Sequence, residues 1–263
     1  MSGLSARSLG AIAILAAASG GAQAQSDLED KLNNPLASMI SLPFQNNLEF
    51  GGGPDGEGVR YRLNVQPVVP FVLSDDWNLV TRTIVPITYQ DGFSPNHERN
   101  FELSDVQSSL FFSPRKPVGG MTLGIGPVVS IPVATGHTGA SQWGLGGTVL
   151  LLKQDHQWTY GLLASQVWGL GDDSDPNVSS LLLQPFLSKK LGGGYTLGFN
   201  TEATYDWPDD QWTVPVQASL SKLTTIGKQP VSLQGALRYY VDKPAYGPDW
   251  GLRFTITLPF PKG

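Results

Sequence analysis

Three histidines, His97, His137 and His156, are the only imidazoles this chain offers for acid–base work. His137 lies in Thr135-Gly-His-Thr-Gly-Ala-Ser141, close to a serine, and Asp172, Asp173 and Asp175 follow in a later polar stretch. A serine activated by histidine and oriented by an acid would hydrolyse a lipid or a peptide bond. His97 and His137 fall in segments with the composition of solvated loops, and His156 falls in a tight turn, Gln154-Asp-His156. Such residues are common in loops, so no catalytic residue is assigned. There is no HxxxH pair, no acidic calcium loop and no Rossmann signature, and neither a metal nor an organic cofactor is expected. Gly51-Gly-Gly-Pro-Asp55 reads as a turn, because no helix follows it to cradle a phosphate. The chain has no cysteine, which removes disulfides and thiolate metal sites.

A second set of residues is defined by period. Glu49, Arg60, Arg62, Arg82, Asp105, Glu202, Asp206, Arg238, Asp242 and Arg253 all lie on one side of apolar–polar alternations. The last alternation is the cleanest. In Gly251-Leu-Arg-Phe-Thr-Ile-Thr-Leu-Pro-Phe260, Leu252, Phe254, Ile256, Leu258 and Phe260 share one face, and Arg253, Thr255, Thr257 and Pro259 share the other. Val59, Tyr61, Leu63 and Val65 oppose Arg60, Arg62, Asn64 and Gln66 in the same way. Tyr195, Leu197, Phe199, Ala203 and Tyr205 oppose Thr196, Asn200, Glu202, Thr204 and Asp206. Period two with unlike faces marks a strand between two solvents.

Twelve such strands are expected, at 40–50, 58–73, 77–90, 104–113, 121–134, 142–153, 157–169, 178–190, 195–206, 211–222, 231–242 and 250–260. Most are longer than a soluble strand, which averages about 5–6 residues, and reach the roughly 9–11 that a tilted transmembrane strand needs. Long and short connections alternate. The fold class expected is therefore all-β: an antiparallel up-and-down transmembrane β-barrel of about twelve strands, with a short N-terminal helix. Trp143, Trp168, Trp207, Trp212 and Trp250 fall at the loop ends of their strands, and Trp77 and Trp158 at the turn ends. Two aromatic belts are what membrane interfaces select. Lys189 and Lys222, the outward charges, also fall at strand ends, where a base near lipid costs least.

Residues 1–24 read as a secretory signal peptide: Arg7, an apolar run from Leu9 to Ala18, and Ala22-Gln-Ala24 before the cut. Residues 25–39 read as a periplasmic helix or leader, with Asp27, Glu29 and Asp30 in its first turn and Pro35 breaking or kinking it. It could lie on the membrane surface, sit across the barrel mouth or be loose. Residues 40–263 form the barrel. A net charge of −5 gives no basic footprint for nucleic acid. The partners expected are outer-membrane lipid, the barrel-assembly machinery and a small-molecule solute. Pro67, Pro70, Pro86, Pro127, Pro132, Pro185 and Pro215 interrupt the strands, which points to bulges or locally open pairing.

Several segments resemble a family of proteobacterial outer-membrane transporters related to a protein of the meta-cleavage pathway of phenol degradation. They are Asn34-Pro-Leu-Ala-Ser-Met-Ile-Ser-Leu-Pro-Phe-Gln-Asn-Asn47, Gly126-Pro-Val-Val-Ser-Ile-Pro-Val-Ala-Thr-Gly136, Leu183-Gln-Pro-Phe-Leu-Ser188, Asn200-Thr-Glu-Ala-Thr-Tyr-Asp-Trp207, Gln211-Trp-Thr-Val-Pro-Val216 and Gly247-Pro-Asp-Trp-Gly-Leu-Arg-Phe254. The resemblance implies an outer-membrane barrel with a transport role; it settles no substrate and tilts the expectation towards small hydrophobic or aromatic compounds. Many such barrels end on an aromatic residue read by the insertion machinery, whereas here Phe260 is followed by Pro261-Lys-Gly263.

The function expected is an outer-membrane channel or transporter. The alternatives are a lipid- or peptide-hydrolysing barrel enzyme and a passive structural barrel. The lumen charges allow two arrangements: a basic wall facing acids across a passage, or internal ion pairs that fill and rigidify the cylinder.

Overall fold

The alternating segments become one continuous antiparallel sheet that closes on itself. The computed structural model describes residues 25–93, 99–135, 139, 142–171 and 178–260. The strands are β1 (Ile40–Gly52), β2 (Gly58–Val65), β3 (Val68–Val72), β4 (Trp77–Asp91), β5 (Asn100–Leu103), β6 (Val106–Pro114), β7 (Thr122–Ile131), β8 (Gly144–Asp155), β9 (Trp158–Gly169), β10 (Ser179–Gly192), β11 (Tyr195–Thr201), β12 (Ala203–Asp206), β13 (Gln211–Ile226), β14 (Gln229–Asp242) and β15 (Trp250–Phe260). Staves adjacent in sequence pair antiparallel, and β1 pairs with β15 from Ile40↔Phe260 to Phe50↔Trp250, which closes the ring. Three staves are cut in two, β2/β3, β5/β6 and β11/β12, so these strands make a twelve-stave up-and-down barrel. Closure leaves no free sheet edge, which a wall facing hydrocarbon requires.

The prolines account for the cuts. Pro67 occupies the break between β2 and β3. Pro86 lies on β4 opposite the break between β5 and β6, with its carbonyl accepting from Ser104 N at 2.9 Å. Pro185 lies on β10, whose ladder with the next stave stops at Phe186↔Asn200 and resumes at Leu183↔Ala203. A proline has no N–H to donate, so the partner strand loses a rung and bulges. Pro215 marks a register shift in β13. Pro127 lies where the β6–β7 ladder skips from Ser109↔Val128 to Phe112↔Ile125. Pro132 follows β7.

The outer wall carries the apolar set. Ile125, Leu145, Phe199, Leu220, Leu237, Leu252 and Phe254 are exposed there, far more grease than a water-facing surface tolerates in one band. The tryptophans flank it: Trp77, Trp158 and Trp250 open β4, β9 and β15, Trp212 and Trp168 stand next to strand ends, and Trp143 and Trp207 lie just outside strands. Lys189 Nζ sits 5.0 Å from the Trp158 ring centre and Lys222 Nζ 3.8 Å from that of Tyr195. Each base therefore rests on an aromatic of the short-turn belt.

The inner wall differs from the sequence expectation. It is polar over β1, β2 and β11–β15 but apolar over much of β3–β10. Val80, Phe111, Leu150, Leu152 and Leu163 form one buried cluster, with Val68, Leu182 and Phe186 packed against it. Val149-Leu-Leu-Leu152 and Leu181-Leu-Leu183 are apolar on both faces, so alternation could not reveal the inner one.

The N-terminal helix spans 25–32 and stops before Pro35, so it fills only the first part of the expected 25–39. Asn33 N closes its last turn on Glu29 O, and Asn34 Oδ1 then takes Leu36 N, turning the chain inward. Of the three places open to this segment, it takes the barrel mouth, on the short-turn side. Leu36 joins the apolar cluster and is 4% exposed. Residues 1–24, His97, His137, Ser141, Asp172, Asp173, Asp175 and the tripeptide after Phe260 lie outside the described residues.

Candidate functional site

The site is the lumen, built from inward positions of neighbouring staves. In β1, Gln45, Asn47 and Glu49 share the inner face. Register puts Asn47 beside Arg62 and Arg253, and Glu49 beside Arg60 and Gly251. Arg60 Nε meets Glu49 Oε2 at 2.6 Å, and Tyr240 Oη donates to Glu49 Oε1. Arg238 lies 3.6 Å from Glu49 Oε1 and 3.2 Å from Glu202 Oε2. Arg253 holds both oxygens of Glu202, at 2.6 and 2.8 Å, a bidentate fork. Asn47 Oδ1 accepts from Arg253 Nε at 2.6 Å and from Arg238 Nη1 at 3.1 Å, tying the two forks together.

Glu202 owes its position to the cut in its stave. It falls between β11 and β12, opposite Pro185, where the missing rung releases the backbone. The separation of a basic wall from acids on the far side is not the arrangement found. Glu202 reaches across β13 to arginines of β14 and β15 and pairs with them directly.

The other expected lumen residues divide. Arg62 is on the inner face of β2, in register with Thr88 of β4. Arg82 points inward from β4, and its Nη2 donates to Gln66 Oε1 at 2.9 Å. Asp105 lies between β5 and β6, where its Oδ1 accepts from Ala134 N at 3.2 Å. Asp206 and Asp242 are exposed at the long-loop rim, taking Asp209 N and Gln211 Nε2 respectively.

Sequence reasoning missed two residues of the network, Asn47 and Tyr240, and the inward Glu102 beside it. Asn47 carries no charge, and Tyr240 belongs by alternation to the inner set of β14; Gln66, inward as its alternation implies, joins Gln45 to Arg82. Glu102 precedes the expected start of its strand; β5 pairs it with inward Thr88, and it is 6% exposed.

Between this network and the N-terminal segment lies a cavity of about 340 Å3. Its polar side carries Gln45, Gln66, Arg82, Glu202, Gln217 and Arg253. Its apolar side carries Val68, Leu150, Leu163 and Phe186, with Pro35 and Met39 of the segment as the floor. The segment is tied down by Lys190 Nζ to Asp30 Oδ1 at 2.7 Å, Gln154 Nε2 to Asp30 O at 2.9 Å, and Asn78 Nδ2 to Ser38 Oγ at 3.3 Å. Leu36 seats against Gly124, where an added Cβ would come within 2.7 Å of Leu36 Cδ1.

Burial raises the Glu29 carboxyl above its ordinary value; Lys190 lowers it, Asp30 raises it, and the Gly194 backbone and Lys222 lower it. The ionised form is therefore penalised when the segment is docked. That penalty holds above the raised pKa and is relieved as pH falls towards 4.5. Glu29→Gln is expected to tighten docking at neutral pH and flatten its pH dependence, read as protease protection of the segment. Equal protection of the parent protein at neutral and mildly acid pH would refute this.

His156 occupies the β8–β9 turn at φ 48°, exposed, with Asp155 Oδ1 3.5 Å away. Among the described residues no cluster of histidines and acids could hold a metal ion.

No known family model matches the chain, and no curated protein matches it in sequence. Solved structures do match. An outer membrane channel from Pseudomonas putida F1 is similar over 84% of this chain and 94% of its own, with TM-score 0.64 and 13% identity. The NanC porin is similar over 84% of this chain and 100% of its own, with TM-score 0.53 and 12% identity. At these identities the likeness is one of fold: the chain is a closed barrel of the outer-membrane type. That architecture and its greasy, belted outer wall place it in the cell outer membrane. The likeness to an Escherichia coli outer membrane phospholipase, TM-score 0.46 and 13% identity, is too distant to bear on chemistry.

Proposed function

We propose that the chain is an outer-membrane channel that passes small solutes, closed on its periplasmic side by residues 25–39. One observation carries this reading: a charged, hydrogen-bonded inner wall encloses a cavity whose floor is a docked segment rather than barrel wall. Short turns at that mouth and longer loops at the other support both termini in the periplasm. The apolar half of the lumen and the family resemblance support solutes with hydrophobic or aromatic bodies.

The test is planar-bilayer recording of the parent protein and of Gly124→Val. A side chain there meets Leu36 Cδ1 at 2.7 Å before Phe111 Cβ of the wall at 3.2 Å, so an overpacking cost of about 1–3 kcal/mol falls mainly on the docked segment. Small conductance in the parent and larger conductance in the variant are expected. No conductance from either folded protein would overturn the channel. It would favour the second reading, a structural barrel braced by the Glu49 and Glu202 ion pairs.

A further inference from the structure

The wall of the cavity carries a surplus cation on its polar side, while Lys31 and Glu29, of opposite charge, line it from the segment. Glu49 and Glu202 are engaged by Arg60, Arg238 and Arg253. Among the described residues Arg82 makes no such ion pair, and the side-chain bond it makes is the one to Gln66. A guanidinium has five N–H donors in a planar fork, suited to a carboxylate. Across the cavity stand Leu150, Leu163 and Phe186, which offer nothing to a second charge. Three guanidiniums, Arg82, Arg238 and Arg253, surround the single Glu202 carboxylate, so the local field favours an anion.

We propose that this cavity binds amphipathic monocarboxylates, with the carboxylate on Arg82 and the hydrocarbon or ring against Leu150, Leu163 and Phe186. The inference names the solute class of the proposed channel and rests on that reading for its biological meaning. Neither end of such a solute suffices alone. A hydrocarbon leaves the surplus guanidinium without its anion, and a small hydrophilic anion leaves the apolar wall uncovered.

The test is calorimetric titration of the full chain in lipid nanodiscs, with empty nanodiscs as blank, using hexanoate, hexanamide and acetate. Hexanoate is expected to bind at least about tenfold tighter than either other probe, a difference of roughly 1.4 kcal/mol. Arg82→Gln should bring hexanoate down to the level of hexanamide, and Leu163→Gln should bring it towards acetate. Arg82→Lys keeps the charge but loses the fork, and should retain a reduced preference; it serves if the Gln variant does not fold. Equal binding of hexanoate and hexanamide, or a preference untouched in folded Arg82→Gln, overturns the assignment. A conducting protein with equal isotherms would lose this assignment and keep the channel. A protein that binds hexanoate yet never conducts would lose the channel and keep the site.

Discussion

Replacing Glu202 with alanine is expected to lower the unfolding free energy by about 3–5 kcal/mol, the usual cost of removing one partner from a buried ion pair. Its two arginine partners are almost wholly enclosed, with side chains 3% and 8% exposed. Without the carboxylate, two guanidiniums are left facing each other and Asn47 in a confined space. The Glu202 side chain is itself 27% exposed to the lumen, which argues for the lower end of the range. Urea unfolding in detergent micelles, followed by tryptophan fluorescence, measures it. Glu202→Gln should fall between, since it keeps acceptor geometry and loses charge. An unchanged midpoint in the alanine variant would mean the arginines are solvated by lumen water and the network is not a brace.

The second large effect belongs to the outer wall. Val216 faces outward on β13, between Trp212 of one belt and Lys222 of the other, and is 42% exposed. An arginine there sits near mid-depth in hydrocarbon and should cost about 2–4 kcal/mol. Folding yield into liposomes, read by heat-modifiable gel mobility, should drop sharply for Val216→Arg. Lys222→Arg, at the interface, should fold normally. Full folding of Val216→Arg would place that surface in water and remove the basis for the membrane assignment.

The outer surface was readable in the sequence because its physics is periodic. One face had to satisfy acyl chains, so Leu252, Phe254 and Ile256 alternate with Arg253 and Thr255 without exception. Strand number and ring closure followed from the length and spacing of such runs. The lumen was only half readable. The inner charges of β1, β2, β14 and β15 stood out against grease, but their partners did not. Which stave Glu202 reaches depends on a bulge, and the bulge depends on a proline in a different strand. The apolar inner half was hidden because Leu150 and Leu163 sit in runs that are apolar on both faces. The place of residues 25–39 is set by contacts of Asp30 with Gln154 and Lys190, more than a hundred positions away, which no local pattern encodes.

The two-sided lumen has a consequence for stereochemistry. One flank is oily, the opposite flank is ionic, the two mouths are unlike, and the staves tilt in one sense around the ring, which removes the last mirror plane. A chiral acid threading it must present its charged group, its greasy group and its leading end in a fixed sense. Its enantiomer can present the same groups to the same walls only with its fourth substituent turned the other way against that tilt, so left- and right-handed forms of one compound should cross the proposed channel at different rates.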